Sequence, residues 1–194
     1  MYRKLKAPLS VQIEVTTRCG NACVHCYNHW RHDDSVPNRS MTPDEAGQVV
    51  DMLAAAEVFD VVITGGEPLL ARETTRTLLT QAKLHGLNAS LNSSLTELTA
   101  EDAEWLQSSG LTSVLTSVHG PREIHDHIVC RQGALDATIR GIAIARSAGI
   151  PVHANMVISR DNKNFVAQTA AICAQAGASL FLASKAAWPE HCAE

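Results

Sequence analysis

The chain has 194 residues, of which 45% are hydrophobic and 19% are charged, proportions typical of one globular domain with a sizeable core. Its formal net charge of −4 argues against the basic surface on which nucleic-acid-binding domains depend. No apolar run approaches the roughly 20 residues that a membrane-spanning helix needs, and the N-terminal segment lacks the apolar region of a signal peptide. We therefore expect a cytoplasmic protein whose six cysteines are reduced thiols or metal ligands rather than disulfides.

Short apolar segments alternate along the chain with segments of helical period. Strands are predicted at residues 11–15, 61–64, 88–94, 112–120, 151–159 and 178–184. Helices are predicted from the capping signal Thr42-Pro43 onward and at residues 72–85, 99–110, 133–149 and 164–176. Such alternation favours parallel strands joined by right-handed helical crossovers. Six units fall short of the eight of a closed barrel, so we expect an α/β fold, a partial (β/α)6 TIM-like barrel with parallel strands.

We expect residues 1–194 to form a single domain, with residues 1–10 as an N-terminal lead-in, because no linker or low-complexity segment divides the chain. In folds of this kind, functional residues gather at the C-terminal ends of the strands. Here three cysteines follow the first strand, Gly-Gly-Glu-Pro follows the second, and polar residues end the next three. All of these side chains are therefore predicted to face one rim.

The segment TTRCGNACVHCYN, residues 16–28, places Cys19, Cys23 and Cys26 close together. Three thiolates can bind three irons of a [4Fe–4S] cluster, and the fourth iron is then open to a small chelating molecule. Zinc is the alternative, since a closed zinc site with three cysteines needs a fourth ligand, which His25 or His29 can supply.

The spacing C-x3-C-x2-C, followed after the next strand by Gly-Gly-Glu-Pro, resembles the radical S-adenosylmethionine (SAM) enzymes. The resemblance extends from about residue 9 to about residue 183. It implies a [4Fe–4S] cluster held by Cys19, Cys23 and Cys26, with SAM as the second cofactor. In that family the methionine end of SAM binds the unique iron, and its reductive cleavage gives a 5′-deoxyadenosyl radical that abstracts hydrogen from a substrate.

The resemblance also implies residues that bind SAM. His25 stands where the family carries an aromatic residue, and its ring is implied to lie near the adenine. Gly65 and Gly66 are implied to meet the SAM amino group through their backbone. Glu67 either faces that ammonium group or orders the turn, and Pro68 is expected to have a structural role.

The stretch TSVHGPREIHDH resembles the Ser-x-Asp-Gly…His-Asp pattern of radical SAM enzymes that carry a SPASM extension and often modify peptides. Ser117 matches the serine, which is implied to help hold SAM. His119 replaces the usual aspartate, whereas His125 and Asp126 match the His-Asp pair. Asn155, on the fifth strand, is implied to face the cofactor; the alternative is a strand-end residue that satisfies nearby backbone.

Three histidines, His119, His125 and His127, fall on this stretch, and we expect a solvated or hydrogen-bonded surface loop rather than a separate metal site. Relatives often carry an arginine three residues after the aspartate, where this chain has Val129. Arg131, two residues further on, is a candidate for the same anion contact.

Two other features bear on the prediction. Trp30 lies in a polar loop after the cysteines and is expected either to shield the cluster or to pack beneath the loop. Of the remaining cysteines, Cys130, Cys173 and Cys192, only Cys173 falls in an apolar helix, where a small core residue is expected. Peptide-modifying relatives continue into a cysteine-rich extension, and the single late cysteine predicts that this extension is absent.

The sequence therefore predicts a radical SAM enzyme that abstracts hydrogen from a peptide, with a flavodoxin- or ferredoxin-type protein as external electron donor. One alternative is a small-molecule substrate from cofactor or antibiotic biosynthesis. The other is a truncated, non-catalytic iron–sulfur or metal-binding partner subunit. Neither nucleic acid nor a membrane is expected as a partner.

Overall fold

The structure is a computed structural model that describes residues 5–28 and 35–185. The predictions for His29, Trp30 and Cys192 lie outside these residues. No helix among the described residues is long and apolar enough to span a lipid bilayer. The strands are β1 (Ser10–Glu14), β2 (Asp60–Thr64), β3 (Asn88–Asn92), β4 (Leu111–Ser117), β5 (Val152–Ile158) and β6 (Leu180–Lys185). The helices are α1 (Pro43–Ala55), α2 (Arg72–Leu84), α3 (Ala100–Ser108), α4 (Arg122–Val129), α5 (Ala134–Ser147) and α6 (Val166–Ala176), with short 3-10 turns at Pro68–Leu70 and Lys163–Phe165.

The strands form one parallel sheet in the order β1-β2-β3-β4-β5-β6, so that each strand pairs with the next one along the chain. Every connection between neighbouring strands carries at least one helix. This is the arrangement of a partial (β/α)6 barrel, and the predicted fold class is confirmed. The C-terminal ends of all strands lie along one edge of the sheet, which brings the residues that follow them together.

Local capping signals start the first helix as predicted. Thr42 Oγ1 accepts a hydrogen bond from Glu45 N at 3.2 Å, and the Glu45 carboxylate accepts one from Thr42 N at 2.8 Å. This reciprocal pair satisfies two backbone N–H groups that a helix start leaves without partners. Pro43, which has no N–H to satisfy, fills the first helical position.

The core lies between one face of the sheet and the helices. Strand residues at alternate positions are buried there, among them Ile13, Ile63 and Leu91, together with Leu78 and Leu106 of the helices. The positions in between point to the opposite side, which we call the open face, and most of them are half-buried or exposed. The open face consists of Ser10, Gln12, Glu14, Asp60, Val62, Thr64, Asn88, Ser90, Asn92, Ser113, Leu115, Ser117, His153, Asn155, Val157, Leu180, Leu182 and Ser184.

A polar cluster joins α2 to α3. Arg72 donates to both carboxylate oxygens of Asp102, at 2.8 and 2.9 Å, and Trp105 Nε1 donates to the same group at 3.1 Å. The carboxylate also accepts the backbone N–H of Thr99 at 3.1 Å, where α3 begins. Burial alone would raise the pKa of Asp102, but these hydrogen bonds, led by those from Arg72, outweigh burial and lower the pKa to about 2.

The structure corrects the prediction of a histidine-bearing surface loop. Residues Arg122–Val129 form helix α4, in which His125 and Val129, four residues apart, are both buried. Ile124 and Ile128, also four residues apart, give this short helix an apolar side, and His125 is buried next to it. His119, just before the helix, is also buried, whereas His127 is exposed.

Candidate functional site

The cysteine loop, residues 16–28, follows β1 at the C-terminal edge of the sheet, and its beginning contacts the glycine turn after β2. Gly66 N donates to Thr16 O at 2.7 Å. A Cβ atom added to Gly66 would lie 2.1 Å from the Arg18 carbonyl oxygen. One added to Gly65, whose φ is +136°, would lie 2.6 Å from the Thr16 carbonyl oxygen. The contact between the two backbones therefore requires both glycines.

Helix α4 holds the other side of the cysteine loop. Ala22 N donates to Val129 O at 3.0 Å, and Val24 N donates to Ile128 O at 2.9 Å. Both acceptors belong to the last turn of α4, where carbonyl groups have no partner within the helix. The loop is thus fixed between the turn after β2 and the C-terminal end of α4.

Cys19, Cys23 and Cys26 all lie on this loop, and all three are half-buried. Cys26 N donates to Cys23 O at 3.1 Å, which forms a tight turn between the second and third cysteines. Cys19 Sγ accepts a hydrogen bond from Asn21 N at 3.4 Å. Cys173, in contrast, is fully buried, and burial raises the pKa of its thiol to about 11, in agreement with the predicted core role. Partly exposed thiols on a fixed backbone are suited to metal ligation.

The donor set fits an iron–sulfur cluster better than a single metal ion. In residues 5–28 and 35–185, no three His, Cys, Asp or Glu side chains are grouped so that they could hold one ion. Neither the zinc alternative nor a separate three-histidine metal site therefore has support in that part of the chain. A [4Fe–4S] cluster makes a different demand, because each of the three thiolates binds its own iron. The assignment of the three cysteines as ligands stays a prediction.

Glu67 is 2% exposed, and the fold itself uses its carboxylate. It accepts hydrogen bonds from Ser93 Oγ at 2.6 Å, Ser94 N at 2.9 Å and Leu69 N at 3.2 Å. Ser94 Oγ adds a fourth at 2.5 Å. Of the two roles that the sequence leaves open for Glu67, this geometry favours the ordering of the turn. The same bonds tie the end of β2 to the end of β3.

Ser117 and Asn155 are register partners on β4 and β5, side by side on the open face. Both are half-buried. Within the described residues, the Ser117 hydroxyl makes no hydrogen bond, and the Asn155 side chain makes one, in which its Oδ1 accepts from Ser184 Oγ at 3.3 Å. These two polar groups therefore have hydrogen-bonding capacity left for a ligand.

Three imidazole rings form a column that begins at His25 on the cysteine loop. The rings of His25 and His119 meet edge to face, with centroids 4.6 Å apart and planes at 86°. His119 and His125 are stacked at 5.7 Å and 18°. Burial lowers the pKa of all three, that of His125 to about 4, so the rings are neutral at physiological pH. The sequence motifs do not predict this column, because no local pattern reports contacts between residues so far apart in the chain.

Asp126, the second member of the His-Asp pair, serves the start of α5. Its carboxylate accepts hydrogen bonds from Gly133 N at 2.6 Å and from Leu135 N at 2.9 Å. Backbone N–H groups at a helix start have no partner within the helix, and a carboxylate satisfies them well. Asp126 therefore has a structural role in this chain.

Arg131 already has partners within the fold. Its guanidinium donates to Glu97 Oε1 at 2.8 Å and to Thr96 Oγ1 at 3.2 Å. It also lies against the cysteine loop, since a Cβ atom on Gly20 would come 2.9 Å from Arg131 Nη1. These contacts favour a role in supporting the loop over the predicted contact with an anion.

Comparison with known proteins identifies the family to which this sequence is similar. The sequence profile of the Radical SAM superfamily matches residues 13–170. The chain is 31% identical over 183 residues to the AdoMet-dependent heme synthase of Methanosarcina barkeri (strain Fusaro / DSM 804), covering 92% of this chain and 50% of the relative. It is 32% identical over 156 residues to the PqqA peptide cyclase of Bradyrhizobium diazoefficiens, covering 80% of this chain and 40% of the relative. The chain thus spans half or less of the length of these relatives.

The fold is also similar to solved structures. The structure of native anSMEcpe with bound AdoMet and Kp18Cys peptide matches with a TM-score of 0.78 at 20% sequence identity. The match covers 94% of this chain and 52% of the other. At this level of identity, the likeness concerns the fold alone.

Proposed function

Because the chain belongs to the radical SAM superfamily, we propose that Cys19, Cys23 and Cys26 bind a [4Fe–4S] cluster at which SAM is reductively cleaved. The observation that carries this proposal is the position of three half-buried cysteines on one loop, fixed on both sides, at the C-terminal edge of the sheet. When bound, the cluster supplies the electron that cleaves SAM into methionine and a 5′-deoxyadenosyl radical. SAM and a [4Fe–4S] cluster are the cofactors of this family, so the predicted cofactors are confirmed at the level of the family.

Three sets of residues would act on SAM. Gly65 and Gly66 hold the cysteine loop by backbone contact and leave other backbone groups of the turn for the SAM amino group. Ser117 and Asn155 offer polar groups to the carboxylate or the ribose, because their hydrogen-bonding capacity is not used up by the fold. His25, next to the third cysteine, offers a neutral ring to the adenine.

The proposed substrate is a peptide, as the name of the PqqA peptide cyclase suggests. Within the described residues, the open face carries no lysine or arginine, and its carboxylates are those of Glu14 and of Asp60 at the N-terminal end of β2. A substrate with several phosphates or carboxylates needs cations in its site. A neutral peptide segment can be held by small polar groups and by apolar side chains such as Leu115 and Leu182. The charge of the open face therefore supports a peptide.

A small-molecule substrate is the second candidate, and the 31% identity to a heme synthase favours it. In either case the electron is proposed to come from an external flavodoxin- or ferredoxin-type protein, and the protein to work in the cytoplasm, where thiols stay reduced.

Protease treatment of a cell extract separates the two substrate candidates. The anaerobically reconstituted chain receives SAM, dithionite and an extract of the source cells that retains its small molecules, either untreated or digested with a protease that is then inhibited. We expect the untreated extract to raise the yield of 5′-deoxyadenosine and the digested extract to lose this effect, with the Cys23→Ala variant inactive in both. Stimulation that survives digestion would instead assign a small-molecule substrate.

A further inference from the structure

His119 is the central member of the histidine column, and the protein fixes its ring firmly. Its exposed fraction is 2%. Its Nδ1 accepts a hydrogen bond from Val157 N at 3.4 Å, which places the ring proton on Nε2. The backbone of His119 is held as well, since its N–H donates to His125 Nδ1 at 3.1 Å and its carbonyl accepts from Asn162 Nδ2 at 3.0 Å. Burial, followed by the repulsion that a proton on His25 or His125 would add, holds the pKa of His119 well below its usual range.

His25 is fixed far less. Its ring is half-buried, and its Nδ1 is buried without a hydrogen-bond partner in the described part of the chain. In sequence, His25 lies between Cys23 and Cys26, two of the predicted cluster ligands. A small rotation of its ring would change which ring atoms face a cofactor bound there. The edge-to-face contact with His119 is therefore the main restraint on the His25 ring that the described residues offer.

The residue type at position 119 matters for this contact. The family pattern that the stretch resembles carries an aspartate there. An aspartate can accept the N–H of Val157 but has no ring to set against His25. A histidine does both, because one nitrogen accepts the backbone N–H while the ring remains free to pack.

We infer that His119 is a positioning residue that holds the ring of His25 edge to face and so sets the orientation of that ring beside SAM. The effect on SAM rests on the proposed function; the effect on the His25 ring does not. Aromatic pairs of this kind contribute enough to change affinity by about threefold to tenfold.

Two substitutions separate the two contacts of His119. His119→Asn keeps an acceptor for Val157 N–H but removes the ring. His119→Phe keeps a ring but removes the acceptor, and it is expected to lower the unfolding temperature. His127→Asn, the same change at an exposed histidine on α4, is the matched control. Circular dichroism confirms that each variant is folded.

The first readout is the chemical shift of the His25 ring protons in the cluster-free chain, identified by their loss in His25→Gln. The second is the dissociation constant for SAM in the reconstituted chain. We expect His119→Asn to move the His25 resonances and to weaken SAM binding about threefold to tenfold, with His119→Phe close to the unaltered chain in both and His127→Asn unchanged.

Unmoved His25 resonances in His119→Asn, or moved resonances with unchanged SAM affinity, would overturn the inference. If the unaltered chain binds no SAM, the proposed function fails, and the ring-proton shifts alone then decide whether His119 positions His25.

Discussion

The two halves of the C-terminal edge of the sheet are built differently. Around the ends of β1, β2 and β3, the protein satisfies its own groups: Gly66 N bonds Thr16 O, and the Glu67 carboxylate accepts four hydrogen bonds. At the ends of β4 and β5, within the part of the chain that the structure describes, the Ser117 side chain makes no hydrogen bond and that of Asn155 makes one. The first half is committed to holding the cysteine loop, whereas the second has capacity left for a ligand.

This difference separates two kinds of residue within one family pattern. Gly65, Gly66 and Glu67 are implied by the resemblance to bind SAM, yet their most direct contacts are with the protein. A substitution there should damage the fold and the site together. A substitution at Ser117 should damage binding alone. The free energy of unfolding and the affinity for SAM, measured on the same variants, therefore test the difference between the two halves of the edge.

The largest effect is expected at the cysteines. Cys23→Ala should abolish the visible absorption of the reconstituted cluster, because two thiolates cannot replace the three that hold the irons. Cys130→Ala, at an exposed cysteine outside the loop, is the control and should keep its iron. The measurement is bound iron and sulfide per chain after anaerobic reconstitution. A Cys23→Ala protein with full iron content would refute the ligand assignment.

Gly66→Ala should be the most damaging change on the first half of the edge. The new Cβ would lie 2.1 Å from a backbone oxygen that cannot move independently of the cysteine loop. We expect a loss of about 3 kcal/mol or more in the free energy of unfolding, with reduced iron content. Gly47→Ala is the control: nothing lies within 4 Å of its Cβ, and alanine should stabilise α1 by about 0.5–1 kcal/mol. Urea denaturation measures both, and equal stability of the two variants would contradict the contact.

The polar contacts between α2 and α3, centred on Asp102, lie apart from the residues predicted to bind SAM or iron. Their expected effect is on stability alone. The pKa of Asp102 is about 2 in the folded chain against an ordinary 3.8. The unfolded chain therefore binds more protons between these values, and stability is lost as the pH falls from about 4 to about 2, by on the order of 2 kcal/mol. Asp102→Asn should flatten that part of the pH profile of the unfolding free energy and leave SAM affinity at neutral pH unchanged. An identical pH profile in the variant would show that the Asp102 carboxylate contributes nothing to the free energy of unfolding.

Ser117→Ala should have the smallest effect on the fold. Since the hydroxyl has no partner in the described residues, we expect the free energy of unfolding to change by less than about 0.5 kcal/mol. Loss of one hydrogen bond to SAM should raise its dissociation constant about fivefold. Ser147→Ala, at the exposed end of α5, provides the reference. Calorimetric titration of SAM into the reconstituted proteins measures the difference, and unchanged affinity would remove Ser117 from the site.

Features that depend on neighbouring residues follow directly from the sequence. Strand–helix alternation predicts the parallel sheet, and Thr42, Pro43 and Glu45 predict the start of α1, because a helix cap is satisfied within one turn. The burial and hydrogen bonding of Glu67 cannot be predicted in this way, because its partners Ser93 and Ser94 follow β3, the next strand. Long-range contacts of this kind leave no local signal.

Helix α4 does leave a local signal, since Ile124 and Ile128 stand four residues apart, but it is missed when the stretch is interpreted by its motif alone. The histidine column, in contrast, leaves no such signal. Periodicity treats a histidine as polar, but His125 is buried as a neutral ring, which an apolar pattern cannot report. The hydrogen bonds from Ala22 and Val24 to the end of α4 join segments that are far apart in sequence. The cysteine motif thus indicates which chemistry to expect, and only the fold reveals what holds the motif in place.

The cysteine loop of this chain is proposed to hold a cluster that cleaves SAM. The most direct test is anaerobic reconstitution with iron and sulfide, addition of dithionite and SAM, and chromatography of 5′-deoxyadenosine. We predict 5′-deoxyadenosine from the unaltered chain and none from Cys23→Ala. A chain that binds a [4Fe–4S] cluster and SAM but yields no 5′-deoxyadenosine would contradict the claim and favour a non-catalytic partner subunit.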